Sequence, residues 1–168
     1  CKKLIYRHPH IFGSVEVGSS EEILRNWDEL KRKEKHQETD TSALESVAKS
    51  LPGLIRAEKL QKKAAKVGFD WENAQGALEK VEEELDEVKQ AMAGSGDPEE
   101  EIGDLLFAAV NVARHLKVDP EGAMEKTCNK FIRRFADMEQ QAKEENKVLS
   151  DLPLAELDAL WNRSKEKE

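Results

Sequence analysis

Apolar residues along this 168-residue chain recur at helical spacing, and the breaks between runs carry helix start and stop signals. Ser19 with Glu22 three residues on reads as a capping box, and Ile23, Trp27 and Leu30 follow at i, i+4 and i+7. That helix is expected to fade near Gln37, because Lys31 to Thr41 is polar and charged without an apolar period and reads as a linker. After Pro52 a helix is expected through Leu54, Ala57, Leu60 and Ala64, stopped by Gly68, with Phe69 and Trp71 as core anchors. The next runs from about Trp71 to Met92, with its stripe at Leu78, Val81, Leu85, Val88 and Met92, and Gly94-Ser95-Gly96 breaks it. Asp97-Pro98-Glu99-Glu100 restarts a helix, Asp as N-cap and Pro at the first position, carrying Ile102, Leu105, Ala109, Val112, Ala113 and Leu116. Asp119-Pro120 repeats the signal for a long helix through Met124, Cys128, Phe131, Phe135 and Met138, and Pro153 opens a last one with Leu154, Leu157, Leu160 and Trp161. The expectation is an all-α helical bundle, with four or five core helices after residue 50 and a helical arm before it.

Composition narrows this picture. Leu, Ile, Val and Phe together number 38 of 168 while charged residues reach 37%, so the core must be thin, which suits amphipathic helices better than two-sided sheets. A net charge of −8 argues against nucleic acid or an anionic membrane surface as partner, and no apolar run is long enough to span a bilayer. Two cysteines, Cys1 and Cys128, make no disulfide framework and fit a reducing, cytoplasmic compartment.

The first eighteen residues combine a short basic segment, a His-Pro-His turn and a short extended piece at Ser14 to Val17. Cys1 to Arg7 aligns with Cys128 to Arg134, with Cys, Lys, Ile and Arg identical. With no initiator methionine, this repeat leads us to expect that the chain begins inside the last long helix of an earlier copy of the same domain. Residues 1–18 are then a remnant and turn, 19–50 a helical arm and linker, and 51–168 the main helical domain.

Candidate chemistry lies in the acidic residues. Glu83-Glu84-x-x-Glu87 stands on one helix and Glu101-x-x-Asp104 on the next. Residues three apart share a helix face, so each helix offers a two-carboxylate half-site, and the short connection makes the helices antiparallel neighbours. Glu84 and Glu101 fall at the margins of their apolar stripes, while Glu83 points farther out. Hard oxygen donors from Glu84, Glu87, Glu101 and Asp104, with no Cys or His, select Mg²⁺ or Mn²⁺ over zinc. The chain holds 25 Glu, so a solvated acidic face is the alternative on spacing alone. A ferritin-like di-iron site fits poorly, because no His has Glu three residues before it.

The continuous stretch KVEEELDEVKQAM, EEEIGDLLFAAVNVARHL and KTCNKFIRRF resembles the MazG family of nucleoside triphosphate pyrophosphohydrolases over roughly Leu51 to Trp161. The opening KKLIYRHPHIF is similar to the end of the first domain in tandem members. The resemblance implies an all-α, commonly dimeric enzyme that converts NTP and water to NMP and pyrophosphate with Mg²⁺. Its acidic motif falls on Glu83, Glu84, Glu87, Glu101 and Asp104, with no departure at those positions.

A triphosphate also needs cations. Lys126, Lys130, Arg133 and Arg134 supply them on one helix, Lys130 and Arg134 on one face, although a solubilising outer face would look the same. The family's Lys-Phe-x-x-Arg segment matches Lys130 to Arg134 and favours phosphate contact. Lys80, one turn before Glu84, is a further candidate. Trp161 either stacks on a base or closes the core beside Leu157 and Leu160, and the resemblance favours the base. Asn111, two turns after Asp104, either bonds a carboxylate or substrate or serves helix packing. His8 and His10 read as turn residues, and Cys128 as an inert core thiol. The leading expectation is thus a Mg²⁺-dependent hydrolase of NTPs and dNTPs, ATP among them, with Glu83 orienting the water. The alternatives are a non-catalytic helical dimerisation module and a related all-α pyrophosphatase acting on dUTP or phosphoribosyl-ATP.

Overall fold

The computed structural model describes residues 5–6, 9–12, 19–34 and 39–167. The aligned heptapeptide at Cys1 to Arg7 lies largely outside them; His8 and the extended piece at Ser14 to Val17 lie wholly outside. The all-α expectation holds: every long element is a helix, and no strand occurs among the described residues. Two compact units, residues 1–112 and 113–168, divide the chain within its fifth helix.

In the first unit, after a single helical turn at Pro9–Phe12, α1 spans Ser20–Glu34 and α2 spans Asp40–Glu45. Ser19 Oγ accepts the Glu22 N–H at 3.2 Å, as its capping position requires. The linker expected over Lys31 to Thr41 is corrected at both ends. Helix α1 runs through Glu34, and Thr39 opens α2 by a reciprocal cap in which Ser42 N–H donates to Thr39 Oγ1 (3.0 Å) and Thr39 N–H to Ser42 Oγ (3.1 Å). Helix α3, Gly53–Ala65, ends in a left-handed Gly68 (φ +86°) whose turn brings the Phe69 N–H to the Ala64 carbonyl. That turn directs Phe69 outward at 81% exposure, and Trp71 remains 45% exposed over Gly76, so neither is the core anchor expected. Asn73 caps α4, Ala74–Met92, through the N–H groups of Gln75 and Gly76, which sets its start three residues later than the apolar pattern predicts. Helix α5, Pro98–His115, starts where Asp97 Oδ1 accepts the Glu99 N–H at 2.9 Å. Gln61, buried on α3, ties itself to α5 by donating to the Phe107 carbonyl at 2.8 Å.

The core of this unit is as thin as composition requires. Its buried apolar residues are Val47, Ala77, Ala91, Ala108 and Val110. Larger members of the expected stripes, Leu78, Leu85 and Met92 on α4 and Ile102 on α5, stay 42–80% exposed, as do Leu106 and Phe107. Helical periodicity places them on common faces, which the described chain covers only in part.

In the second unit, α6 spans Pro120–Glu144 and α7 spans Leu154–Glu166, with a 3₁₀ turn at Leu149–Asp151 between them. Met138, Ala142 and Leu160 form the buried cluster, against which Leu149, Leu152, Leu157 and Trp161 pack. Full burial of Met138 and Leu160 contributes about 1.5–3 kcal/mol each. Cys128 is exposed beside Met124, Phe131 and Phe135, a correction to its expected core position: the apolar stripe of α6 is wider than the surface α7 covers.

A polar network completes the pairing of α6 with α7. Ser164, 3% exposed, donates from Oγ to Asp137 Oδ2 at 2.7 Å. Gln141 Nε2 reaches both Asp137 Oδ2 (2.6 Å) and Ser164 Oγ (3.0 Å), and Lys167 Nζ holds Asp137 Oδ1 at 2.7 Å. Arg163 donates to Gln141 Oε1 and Glu145 Oε1, each at 2.8 Å. The Lys167 ammonium first, and then the Ser164 hydroxyl and Gln141 amide, hold Asp137 at about 2, below the ordinary 3.8. A carboxylate depressed on folding stabilises above its unfolded pKa and loses that contribution as pH falls through its folded one. Asp137→Asn should therefore melt below the parent above about pH 4, and the gap should close towards about pH 2. Calorimetry across that range checks it.

Candidate active site

The short connection from Ala93 to Asp97 brings the acidic half-sites of α4 and α5 together. Glu84, Glu101 and Asp104 each present a carboxylate oxygen, all within 4.8 Å of one another. Glu84 is buried at 4% exposure, Glu101 is partly covered, and Asp104 is exposed. Gly96 makes the close approach of Glu101 to the turn feasible: it takes φ +120°, and a β-carbon there would stand 3.3 Å from Glu101 Oε1.

The two oxygens of Glu84 have different surroundings. Oε1 pairs with Lys80 Nζ at 2.6 Å, while Oε2 is buried and accepts no hydrogen bond. A buried carboxylate oxygen with no donor is costly, and more so with two other carboxylates near it. A hard divalent cation would satisfy that oxygen and offset the repulsion in one contact. Lys80 also holds Glu83 Oε1 at 2.9 Å, and its ammonium is raised above its usual range chiefly by the hydrogen bond to Glu84 and then by that to Glu83. Glu83 is turned to solvent, as its place farther round the helix predicts.

Glu87 stands beside this group rather than within the three-oxygen cluster. Partial burial raises its carboxyl above the usual range, followed by the charge of Glu84, hydrogen bonding with Glu84 and the charge of Glu101. Asn111 lies farther along α5 and is half-buried.

Apart from Lys80, the basic and aromatic candidates belong to the second unit. Lys126, Lys130 and Arg133, with Thr127 and Asn129, line an open groove of about 410 Å³ along α6. Arg134 faces Trp161 instead, its guanidinium carbon 5.6 Å from the ring centroid, within cation–π range. Trp161 also meets Phe131, centroid to centroid at 5.1 Å and tilted by 47°, and Phe131 stacks on Phe135 at 6.2 Å. The Trp161 ring packs on the apolar cluster yet stays partly open. Reading the sequence alone missed Phe131 as the ring's support, although its place beside Lys130 was a signal.

The first unit is thus all-α, with paired acidic helices whose clustered carboxylates could hold a metal ion. Residues 72–138 match the MazG nucleotide pyrophosphohydrolase domain. The chain is 41% identical over 170 residues, 99% of its length, to a nucleoside triphosphate pyrophosphohydrolase of Escherichia coli (strain K12), of which it covers 65%. It is 41% identical over 98% of its length to a nucleoside triphosphate pyrophosphohydrolase/pyrophosphatase MazG of Thermotoga maritima, covering 62% of that protein. A third relative, the uncharacterized protein YabN of Bacillus subtilis (strain 168), is 47% identical over 99% of the chain, which spans 35% of it. Over residues 72–138, which hold both acidic half-sites, the chain is similar to the MazG family.

Proposed function

We propose that this chain hydrolyses nucleoside triphosphates, NTPs and dNTPs alike, to nucleoside monophosphate and pyrophosphate with Mg²⁺, and that it tolerates different bases. The observation that carries this proposal is the buried, unmet oxygen of Glu84 clustered with Glu101 and Asp104. The similarity to pyrophosphohydrolases supports it. Glu84, Glu87, Glu101 and Asp104 would hold Mg²⁺, or Mn²⁺, which supplies positive charge between the carboxylates and the phosphate oxygens. Glu83, open to solvent, orients the attacking water and takes its proton as the bond between the α- and β-phosphates breaks. Lys130 and Arg134 meet charge on the phosphates, with Lys80 and Arg133 as further contacts. Trp161 stacks on the base, and a π-face that accepts every base accounts for broad tolerance. We assign this activity to residues 51–168, with 19–50 as a helical arm.

We further propose a homodimer in the cytoplasm, without membrane or nucleic-acid partners. Among the described residues no helix is long and apolar enough to cross a membrane. The net charge of −8 disfavours phosphate backbones, and an exposed free thiol at Cys128 suits a reducing compartment. The uncovered apolar faces of α4 and α5 favour burial against a second copy.

Three measurements test these assignments. Ala at any one of Glu84, Glu87, Glu101 or Asp104 should nearly abolish pyrophosphate release, pairs should be non-additive, and the rise in melting temperature with Mg²⁺ and ATP should vanish. Near-normal turnover in Glu87→Ala or Asp104→Ala would remove this ligand set. Light scattering should report about twice 19.0 kDa, and a fully active monomer stable to dilution would contradict the dimer. Lys130→Ala or Arg134→Ala should lower kcat and kcat/KM together, whereas Trp161→Ala should raise KM by the equivalent of about 1–3 kcal/mol with kcat little changed. Lower thermal stability in Trp161→Ala with KM unchanged would assign the ring to packing alone.

A further inference from the structure

The polar network between α6 and α7 does more than a thin core needs. A buried hydroxyl and a buried amide are placed where apolar side chains would pack at lower desolvation cost. What a hydrogen bond adds to apolar packing is direction: burial of Met138 and Leu160 is indifferent to a small slide or roll of α7, whereas the bonds at Ser164 are not. Ser164 follows Trp161 by three residues and Asp137 follows Arg134 by three, so on each helix the bonded residue shares a face with a member of the Trp161–Arg134 pair, one turn away. A displacement that moved the Trp161 ring off Arg134 would pull Ser164 Oγ from Asp137 and leave buried polar atoms unmet. Leu160, next in sequence to Trp161, keeps α7 on the apolar cluster, while the bonds at Ser164 fix its slide and rotation.

We propose that Asp137 and Ser164 are positioning residues: they hold the Trp161 ring against Arg134 and so set affinity for the nucleotide, without touching it. The inference rests on the assignment of Trp161 to the base made above. Neither residue belongs to the acidic cluster or to the groove along α6.

The test uses the full chain with ATP and Mg²⁺, reading kcat and KM by pyrophosphate release alongside the ¹H–¹⁵N resonance of the Trp161 indole, identified by its loss in Trp161→Phe. Ser164→Ala should raise KM about three- to tenfold, a part of the stacking contribution, with kcat within about twofold, and should shift the indole resonance. Ser164→Thr, which keeps the hydroxyl, should return both towards the parent. In a Trp161→Ala background, Ser164→Ala should add nothing further to KM. A lower melting temperature with KM and the indole resonance at parent values would overturn the proposal, leaving the network as a fastening of α7 alone. If Trp161→Ala itself leaves KM unchanged, the base contact fails and the proposal falls with it, whereas an unchanged KM in Ser164→Ala beside a raised KM in Trp161→Ala refutes the positioning role alone. Should Ser164→Ala not fold, Asp137→Asn carries the same readouts.

Discussion

The arrangement of α4 and α5 depends on one costly interaction, the burial of Glu84 beside two other carboxylates. Like charges this close repel, and protein surroundings screen them less than water does. The fold accommodates them by local means: a lysine one turn back on α4, a glycine turn that lets Glu101 approach, and an N-capped start at Asp97 that fixes the register of α5. One oxygen is still left without a donor. The most economical explanation of a group so arranged is that its compensation arrives from outside the chain.

The same economy explains the rest of the first unit. Small residues such as Ala77, Ala91 and Ala108 fill the interior, which lets helices approach closely but buries little area per residue. Large apolar side chains are left partly at the surface, where the exposed part of each adds nothing until something covers it. The second unit is built differently, with Met138 and Leu160 buried and a polar network beside them. Side-chain hydrogen bonds there supply the definition that sparse packing lacks.

What could be read from the sequence follows from what is local. Asp97-Pro98 and Ser19 announce helix starts because a cap is made within three residues, and the acidic group was legible because i, i+3 spacing and a short connection nearly determine it. The Thr39 cap was hidden because Ser42, not Glu or Gln, completes it. Phe69, Trp71 and Cys128 were misplaced for one shared reason: hydrophobicity and period identify a face, whereas burial depends on whether another segment covers it. The bond from Ser164 to Asp137 spans 27 residues and depends on the rotation of α7, which no spacing encodes.

Lys80 also bears on the order of events in the life of the protein. Small domains that take their shape from a bound ion remain unfolded until the ion is supplied. Here the counter-charge to Glu84 is carried four residues away on the same helix, so it is present as soon as that helix forms. The first cation to meet Glu84 is thus the chain's own, supplied by the folding of α4 itself.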